Sequence, residues 1–514
     1  MSTHSFHFNY GKVRYIVNGL LIGFFAGIVA DLFRYGIEIS LKQSQQLFRS
    51  IQHGHWLSLL TLLIWILAAT IVAGLLIKQQ PNISGSGIPQ VEAQLDDELN
   101  YNWWSVLWRK LIGGILAIGP GLALGREGPS IQLGAAVGQG AAKFLDNHGS
   151  DRRIMIAAGA AGGLAAAFNA PIAGTMFVLE EVYHNFSYPV WITSLASAVS
   201  ANLVSLYIFG MQPVLSLHYQ HSLPISQYWH LILLGILLGV LGRIYQWVLL
   251  HQTDFYKLFT WVPKLLWGLI PFAALIPLGI WHPTWLGGGN GIILSFNTVN
   301  YSLATLVILL LVRFAFSMLS YGSGLPGGIF LPILSLGAII GAIYGVGMSQ
   351  LHLLAPQYVY NLIIISMAGY FTAIGKAPFT AILLVTEMVG SLEHLMPLAV
   401  LSLVAYGIDD LLNGKPIYAE LRERLVPSNI GHVGNTTEIQ VPVFESHQVE
   451  PFYVRELPWP KNCLLVKIQR GEKQLIPNGN SLIRPGDTLI VSVPQLQSFT
   501  AKKNIISAIQ QLNN

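Results

Sequence analysis

The chain has little charge and almost no cysteine. Of its 514 residues, 10% are charged and one is a cysteine, Cys463. Typical soluble domains carry about 25% charged residues. That shortfall, with 53% hydrophobic residues and a mean hydropathy of +0.54, excludes a soluble enzyme with a small membrane anchor. One cysteine excludes an intramolecular disulfide framework. The 15 histidines are scattered and no His-Glu-x-x-His or Cys-x-x-Cys pattern exists, so neither a catalytic metal nor a cofactor is expected. A net charge of +4 is too small and too dispersed to point to nucleic acid. The polar N-terminus has no cleavable signal pattern, because the first apolar stretch is too long for an h-region.

What is plentiful is apolar sequence. Stretches long enough for a bilayer core recur from about Val13 to Leu412. Clear ones are Val17–Leu41, Trp56–Ile77, Val190–Phe209, His230–Leu250, Leu303–Leu319 and Leu395–Leu412, whereas Leu111–Leu124 is too short to span alone, as a broken helix would be. The 51 glycines suit helices that pack closely or break within a membrane. Lys12 and Arg14 precede the first stretch, which favours a cytoplasmic N-terminus. The expected class is an all-α polytopic membrane protein.

Polarity within this apolar body is confined to a few broken segments. Gly125-Arg126-Glu127-Gly128-Pro129 sets a guanidinium beside a carboxylate where ionisable groups are costly and line a substrate or proton path. Its glycines and proline break the helix and free peptide N–H groups, a way to hold an anion without a metal. Gly85-Ser86-Gly87-Ile88-Pro89 supplies a hydroxyl, Gly327-Gly328-Ile329-Phe330-Leu331-Pro332 supplies amides at a helix start, and Gly414-Lys415-Pro416-Ile417-Tyr418 supplies a phenol. Hydroxyls and amides suit a weakly hydrated monovalent anion, because they donate hydrogen bonds without holding it too tightly to leave.

The apolar part also repeats itself. Pro171 precedes Glu180 by nine residues, and Pro378 precedes Glu387 by nine, an offset of 207 between the two motifs. Pro129 and Gly134 match Pro332 and Gly337 at an offset of 203. Two related halves follow, about 13–210 and 225–424. Such halves often have inverted topology, with the substrate site at their interface. Residues 1–12 read as a cytoplasmic segment, 425–444 as a linker, and 445–514 as a small soluble module. In that module Leu464–Ile468 and Thr488–Val493 have strand composition, turns fall at Arg470-Gly471, Asn478-Gly479 and Pro485-Gly486-Asp487, and a helix closes near Leu496–Gln510.

In this order the four broken motifs resemble the CLC family of chloride channels and chloride/proton antiporters, over nearly all of 13–424. The resemblance implies a homodimer of two inverted repeats with broken and tilted helices, each subunit holding its own pore. It implies Ser86 and Tyr418 as side chains on a chloride ion, completed by the amides of Ile329 and Phe330, with Glu127 as the gating and outer proton glutamate supported by Gly125, Arg126, Gly128 and Pro129. A carboxylate pair at the end of an apolar helix ordinarily marks the water interface, but Glu181 sits where antiporter members carry the inner proton-transfer glutamate. Chloride and protons are the implied substrates. Ser86 looks like the chloride-preferring variant; nitrate-preferring relatives tend to carry proline there, and the fluoride-exporting branch departs from both motifs. Lys110 and Glu92 match charged family positions, either as a buried pair near the inner pore mouth or as two interface charges that snorkel. Lys376 and the Asn169-Ala170-Pro171 turn are assigned to helix breaking alone.

The tail resembles the C-terminal domain of potassium-transport regulators (TrkA-C or RCK-C), through Leu464–Ile468, Leu475-Ile476-Pro477 and Arg484-Pro485-Gly486-Asp487-Thr488-Leu489. That resemblance implies a cytoplasmic α+β module and leaves open a small cytoplasmic ligand or a dimerising role without one. With both termini cytoplasmic, the expected place is a prokaryotic inner membrane. A passive chloride channel of the same fold and a sensor acting through the tail are the alternatives to antiport. No nucleophile–base pair argues for an enzyme.

Overall fold

The computed structural model describes residues 10–217, 221–259, 262–426, 436–443, 451–470, 473–494 and 498–511, in two compact units that divide at Val426–Pro427. Residues 1–9 of the expected N-terminal segment, 427–435 of the expected linker, Gly471 of the expected turn, and Leu496 and Gln497 of the expected last helix lie outside the described residues.

The first unit is helical. Its first half holds α1 (Tyr10–Gln52), α2 (Trp56–Gln79), α3 (Ile88–Leu95), α4 (Trp103–Ile118), α5 (Glu127–Phe144), α6 (Gly149–Phe168), α7 (Pro171–Phe177) and α8 (Tyr188–Phe209). Its second half holds α9 (Trp229–Leu250), α10 (Gln252–Lys257), α11 (Leu269–Trp281), α12 (Asn290–Ser295), α13 (Leu303–Gly322), α14 (Phe330–Gln350), α15 (Val359–Gly375), α16 (Pro378–Val389), α17 (Leu395–Leu411) and α18 (Ile417–Leu425). Among the described residues, eight helical segments are long and apolar enough to cross a membrane. Two of them, Phe330–Gln350 and Pro356–Gly375, are 78% and 83% buried, so protein rather than lipid surrounds them; the other six are 33–44% buried and keep broad apolar faces outward.

The two halves break their helices alike. α6 ends on Asn169 at φ 54° and α15 ends on Lys376 at φ 60°; each is followed by alanine and then the proline that starts the next helix. A left-handed residue closes the old helix, and proline fits the first turn of a new one, where its missing N–H costs nothing. Close packing comes from glycine. A Cβ on Gly134 of α5 would lie 2.1 Å from the carbonyl oxygen of Gly159 on α6, and one on Gly159 would lie 2.1 Å from that of Gly134. No side chain fits there, so the two backbones touch.

Two reciprocal contacts join the halves. Gly125 N–H donates to Gly328 O and Gly328 N–H to Gly125 O, both at 2.7 Å, forming an isolated antiparallel bridge. The Glu180 carboxylate accepts from the Phe379 and Thr380 N–H groups at the start of α16, at 3.1 and 2.7 Å. Glu387 accepts from the Ile172 and Ala173 N–H groups at the start of α7, at 3.2 and 2.7 Å. Each half thus caps a helix of the other, as a two-fold relation between inverted repeats requires.

The second unit holds β1 (Thr436–Pro442), β2 (Phe452–Tyr453), β3 (Leu464–Arg470), β4 (Lys473–Leu475), β5 (Leu482–Ile483), β6 (Thr488–Pro494) and α19 (Ser498–Gln511). The antiparallel sheet runs β1-β6-β3-β4, with β2 and β5 paired separately. Val441, Ile468, Leu489, Val491 and Ile505 are buried in its core. β1 falls inside the stretch expected as linker: its polar alternation reads as loop in isolation, yet Val441 is fully buried opposite Leu489.

Candidate functional site

The site starts from two helix beginnings brought together by the Gly125–Gly328 bridge, those of α5 and α14. The first amides of a helix have no intrahelical partner, and Pro129 and Pro332 contribute none, so the N–H groups of Ile329, Phe330 and Leu331 stay available. Two such positive ends at one point favour an anion. Glu127 opens α5 and is fully buried. Its carboxylate folds over Gly125, where a Cβ would lie 2.4 Å from Oε2; the N–H groups of Leu331 and Glu127 itself face it, without a hydrogen bond of normal geometry. A carboxylate therefore occupies the mouth of an anion-binding arrangement.

Ser86 enters from the loop before α3. Gly87 holds that loop at φ 94°, and Gly128 must be glycine because a Cβ there would lie 2.3 Å from Ser86 Oγ. Lys110 fixes the same loop: its ammonium, fully buried, donates to the carbonyls of Ile83 and Gly85 at 2.9 and 2.7 Å. The Lys110–Glu92 pair entertained from the sequence is not formed, because the ammonium is spent on those backbone oxygens. Glu92, also buried, lies within reach of the charge of Glu181.

Tyr418 comes from the first turn of α18. Its ring packs edge-on to Phe177 with centroids 6.2 Å apart; Phe177 lies 5.8 Å from Phe330, which packs at a tilt against Phe168 and Phe371 at 5.2 and 4.3 Å. The hydroxyls of Ser86 and Tyr418 are buried without a hydrogen-bond partner among the described residues. Buried hydroxyls are nearly always satisfied, so two that are not, beside free amides, make a donor set looking for an acceptor.

Glu181 lies in a π-helical turn, Val178–Val182, that extends α7. Such turns are frequent at functional sites. This one separates adjacent carboxylates: Glu180 turns outward to cap α16, while Glu181 is buried within reach of the charges of Glu92 and Glu180 and of Tyr418.

Sequence reasoning missed three contributors. Arg422 of α18 binds Asp96 and Glu98 just beyond α3, with Nη1 2.6 Å from Asp96 Oδ2 and Nη2 2.8 Å from Glu98 Oε1. It ties the Tyr418 helix, α18, to the segment that follows α3. Lys376, assigned only to helix breaking, forms a buried ion pair with Asp409 at 2.8 Å. Gly414, ahead of Tyr418, packs so tightly on that Asp409 carboxylate that a Cβ would overlap it. Glu38, inside the long apolar α1, binds Arg126 at 2.7 Å. No local pattern marks any of these.

The fold and site together define a polytopic membrane protein with a candidate anion site built on broken helices between two halves. The chain belongs to the voltage gated chloride channel family, whose model matches residues 68–410. It is 35% identical over 432 residues to the H(+)/Cl(-) exchange transporter ClcA of Vibrio campbellii, covering 80% of this chain and 89% of that one. To the ClcA of Salmonella arizonae it is 32% identical, covering 79% and 87%. Among solved structures, a slow cyanobacterial Cl-/H+ antiporter superposes with a TM-score of 0.75 at 31% identity, covering 81% of this chain and 99% of that one. A CLC-type fluoride/proton antiporter shares the fold at 21% identity and a TM-score of 0.65.

Proposed function

We propose that this protein exchanges chloride for protons across a membrane. The observation that carries it is the pair of separate buried carboxylates, Glu127 at the anion-site mouth and Glu181 in the π-turn. Chloride rests on Ser86 Oγ, Tyr418 Oη and the amides of Ile329 and Phe330. Ionised, Glu127 competes for an anion position; protonated, it leaves that position to chloride. Glu181, with Glu92 beside it, passes the proton at the opposite side, so proton and anion share only part of their route. The exchange activity named for the ClcA relatives and the cyanobacterial antiporter supports this reading.

The same reading takes 13–424 as the transport domain, acting as a homodimer, with both termini cytoplasmic in a prokaryotic inner membrane. Residues 445–514 are then a TrkA-C-like regulatory or dimer-stabilising module, extended by β1. The test uses purified protein in sealed liposomes loaded with high chloride, with an external pH electrode. We expect an outward chloride gradient to drive protons uphill, and Glu127→Ala to abolish the proton movement while chloride still flows. Chloride flux without proton movement in the unmodified protein would make it a passive channel and return Glu181 to a structural role.

A further inference from the structure

Glu38 has no part in the scheme above, yet it is bonded to the neighbour of the gate. Its Oε1 atom is shared by two guanidinium groups, Arg34 Nε at 2.9 Å and Arg126 Nη1 at 2.7 Å. Arg126 is also the cation beside Glu127, with Nε 3.9 Å from Oε1 of that carboxylate. The side chains of Arg34 and Arg126 are 13% and 10% exposed, Glu127 is 0% exposed, and Glu38 is 45% exposed. Charge therefore runs in a line from solvent to the gate: Glu38, Arg126, Glu127.

The surroundings add little charge to that line. Asp31 is the other acidic group of the cluster; its charge reaches both Arg34 and Arg126, but no ion pair joins it to either among the described residues. Arg34 is held over the Phe209 ring at 3.8 Å, at the end of α8. The packed helices α8, α11 and α14 contain no Asp, Glu, Lys or Arg, and those of α6 sit in its first turn. The charged side chains of α4, Arg109 and Lys110, are committed to Ser105 and to the Ser86 loop. Glu38 is thus the carboxylate in direct contact with Arg126, and Asp31 adds a longer-range negative charge to the same side.

We propose that Glu38 is a positioning residue that holds Arg126 away from the Glu127 carboxylate and so sets the external pH at which the gate exchanges its proton. The proposal rests on the antiport reading. An uncompensated guanidinium beside Glu127 would favour its ionised form, and more acid would be needed to protonate it. Arg34 competes for the same Glu38 oxygen, so removing Arg34 should act in the opposite sense.

The test is the external-pH profile of chloride-driven proton uptake into liposomes, for the unmodified protein, Glu38→Gln, Glu38→Asp and Arg34→Gln. Glu38→Gln should move the midpoint to more acid pH by about half a unit to one unit, less than the one to three units of a buried charge contact because Glu38 is half-exposed. Glu38→Asp should restore the profile, and Arg34→Gln should shift it to more alkaline pH. A changed rate with an unmoved midpoint, or equal shifts in both variants, would overturn the proposal and leave Glu38 a structural residue. If Arg34→Gln does not fold, the Glu38 pair decides alone. Failure of the antiport reading would look different, since the unmodified protein would itself move no protons.

Discussion

Replacing Arg422 by glutamine should weaken chloride binding without touching any group on the ion. Arg422 ties α18, which carries Tyr418, to the segment just beyond α3, whose preceding loop carries Ser86, the two side chains proposed to hold chloride: its three nitrogens reach Asp96 at 2.6 Å and Glu98 at 2.8 and 2.9 Å. Fully buried, a charge-assisted hydrogen bond is worth about 1.5–3 kcal/mol. Here Arg422 is 21% exposed, Glu98 29% and Asp96 44%, which brings each bond toward the range of about 0.2–1 kcal/mol for solvated pairs. Together they hold α18 against the α3 loop by about 1–2 kcal/mol. If that energy positions Tyr418 relative to Ser86, its loss appears as a five- to thirtyfold rise in the chloride Kd, since about 1.4 kcal/mol is tenfold. Calorimetric titration of the purified protein with chloride reads this directly. Lysine should recover only part of the loss, because a single ammonium cannot fork two carboxylates. A glutamine variant with a lower melting temperature but unchanged chloride affinity would refute the reasoning and confine Arg422 to stability.

Glu181→Gln should stop chloride-driven proton uptake in liposomes while chloride efflux continues; persistent proton pumping would remove Glu181 from the proton route. Glu387→Gln should lower the melting temperature by weakening the cap on α7, a loss of about 1–2 kcal/mol for a charged cap, and Glu180→Gln should do the same at α16. Unchanged melting in both variants would mean that the reciprocal caps contribute nothing to joining the halves. Asp487→Asn should loosen the second unit by about 2–3 kcal/mol, because this 1%-exposed carboxylate accepts from Arg470 Nε, Arg470 Nη2 and the Arg484 N–H, all at 2.8 Å. Faster proteolytic cleavage within residues 436–511 is the expected readout, and an unaltered cleavage rate would contradict it.

What could be read from the sequence was whatever breaks a helix. Ser86, Glu127, Ile329, Phe330 and Tyr418 each sit within two residues of a glycine or proline in an apolar run, and a break within a membrane helix is visible without a structure. The repeat was visible for the same reason, through Pro171 and Pro378 and the glutamates nine residues on. Which partner each residue takes was not. Arg422 meets Glu98 across 324 positions and Arg126 meets Glu38 across 88, and neither end carries a mark of the other. Lys110 and Glu92 read as either a buried pair or two snorkelling charges, because both match charged positions of the family. The ammonium found carbonyl oxygens of the Ser86 loop instead, which satisfies it without burying a second charge. Similarly, nine-residue spacing locates Glu180 on its own helix but says nothing of the α16 amides that it caps in the other half.

The reciprocal contacts explain why so few charges suffice. An anion site made of lysine or arginine would bind chloride tightly and have to pay again to release it. Here the attraction comes from helix starts, α5 in one half and α14 in the other, which only a two-fold arrangement can aim at one point. The guanidinium beside Glu127, that of Arg126, is already bonded to Glu38. On the proposed reading, the carboxylate of Glu127 enters or leaves the site with its proton, against an Arg126 contact of 3.9 Å that is looser than the 2.7 Å contact to Glu38. Gly125 makes this geometry possible twice over: its backbone forms the bridge to Gly328, and its missing side chain is the space in which the Glu127 carboxylate lies. The same residue that joins the halves therefore leaves room for the Glu127 carboxylate between them.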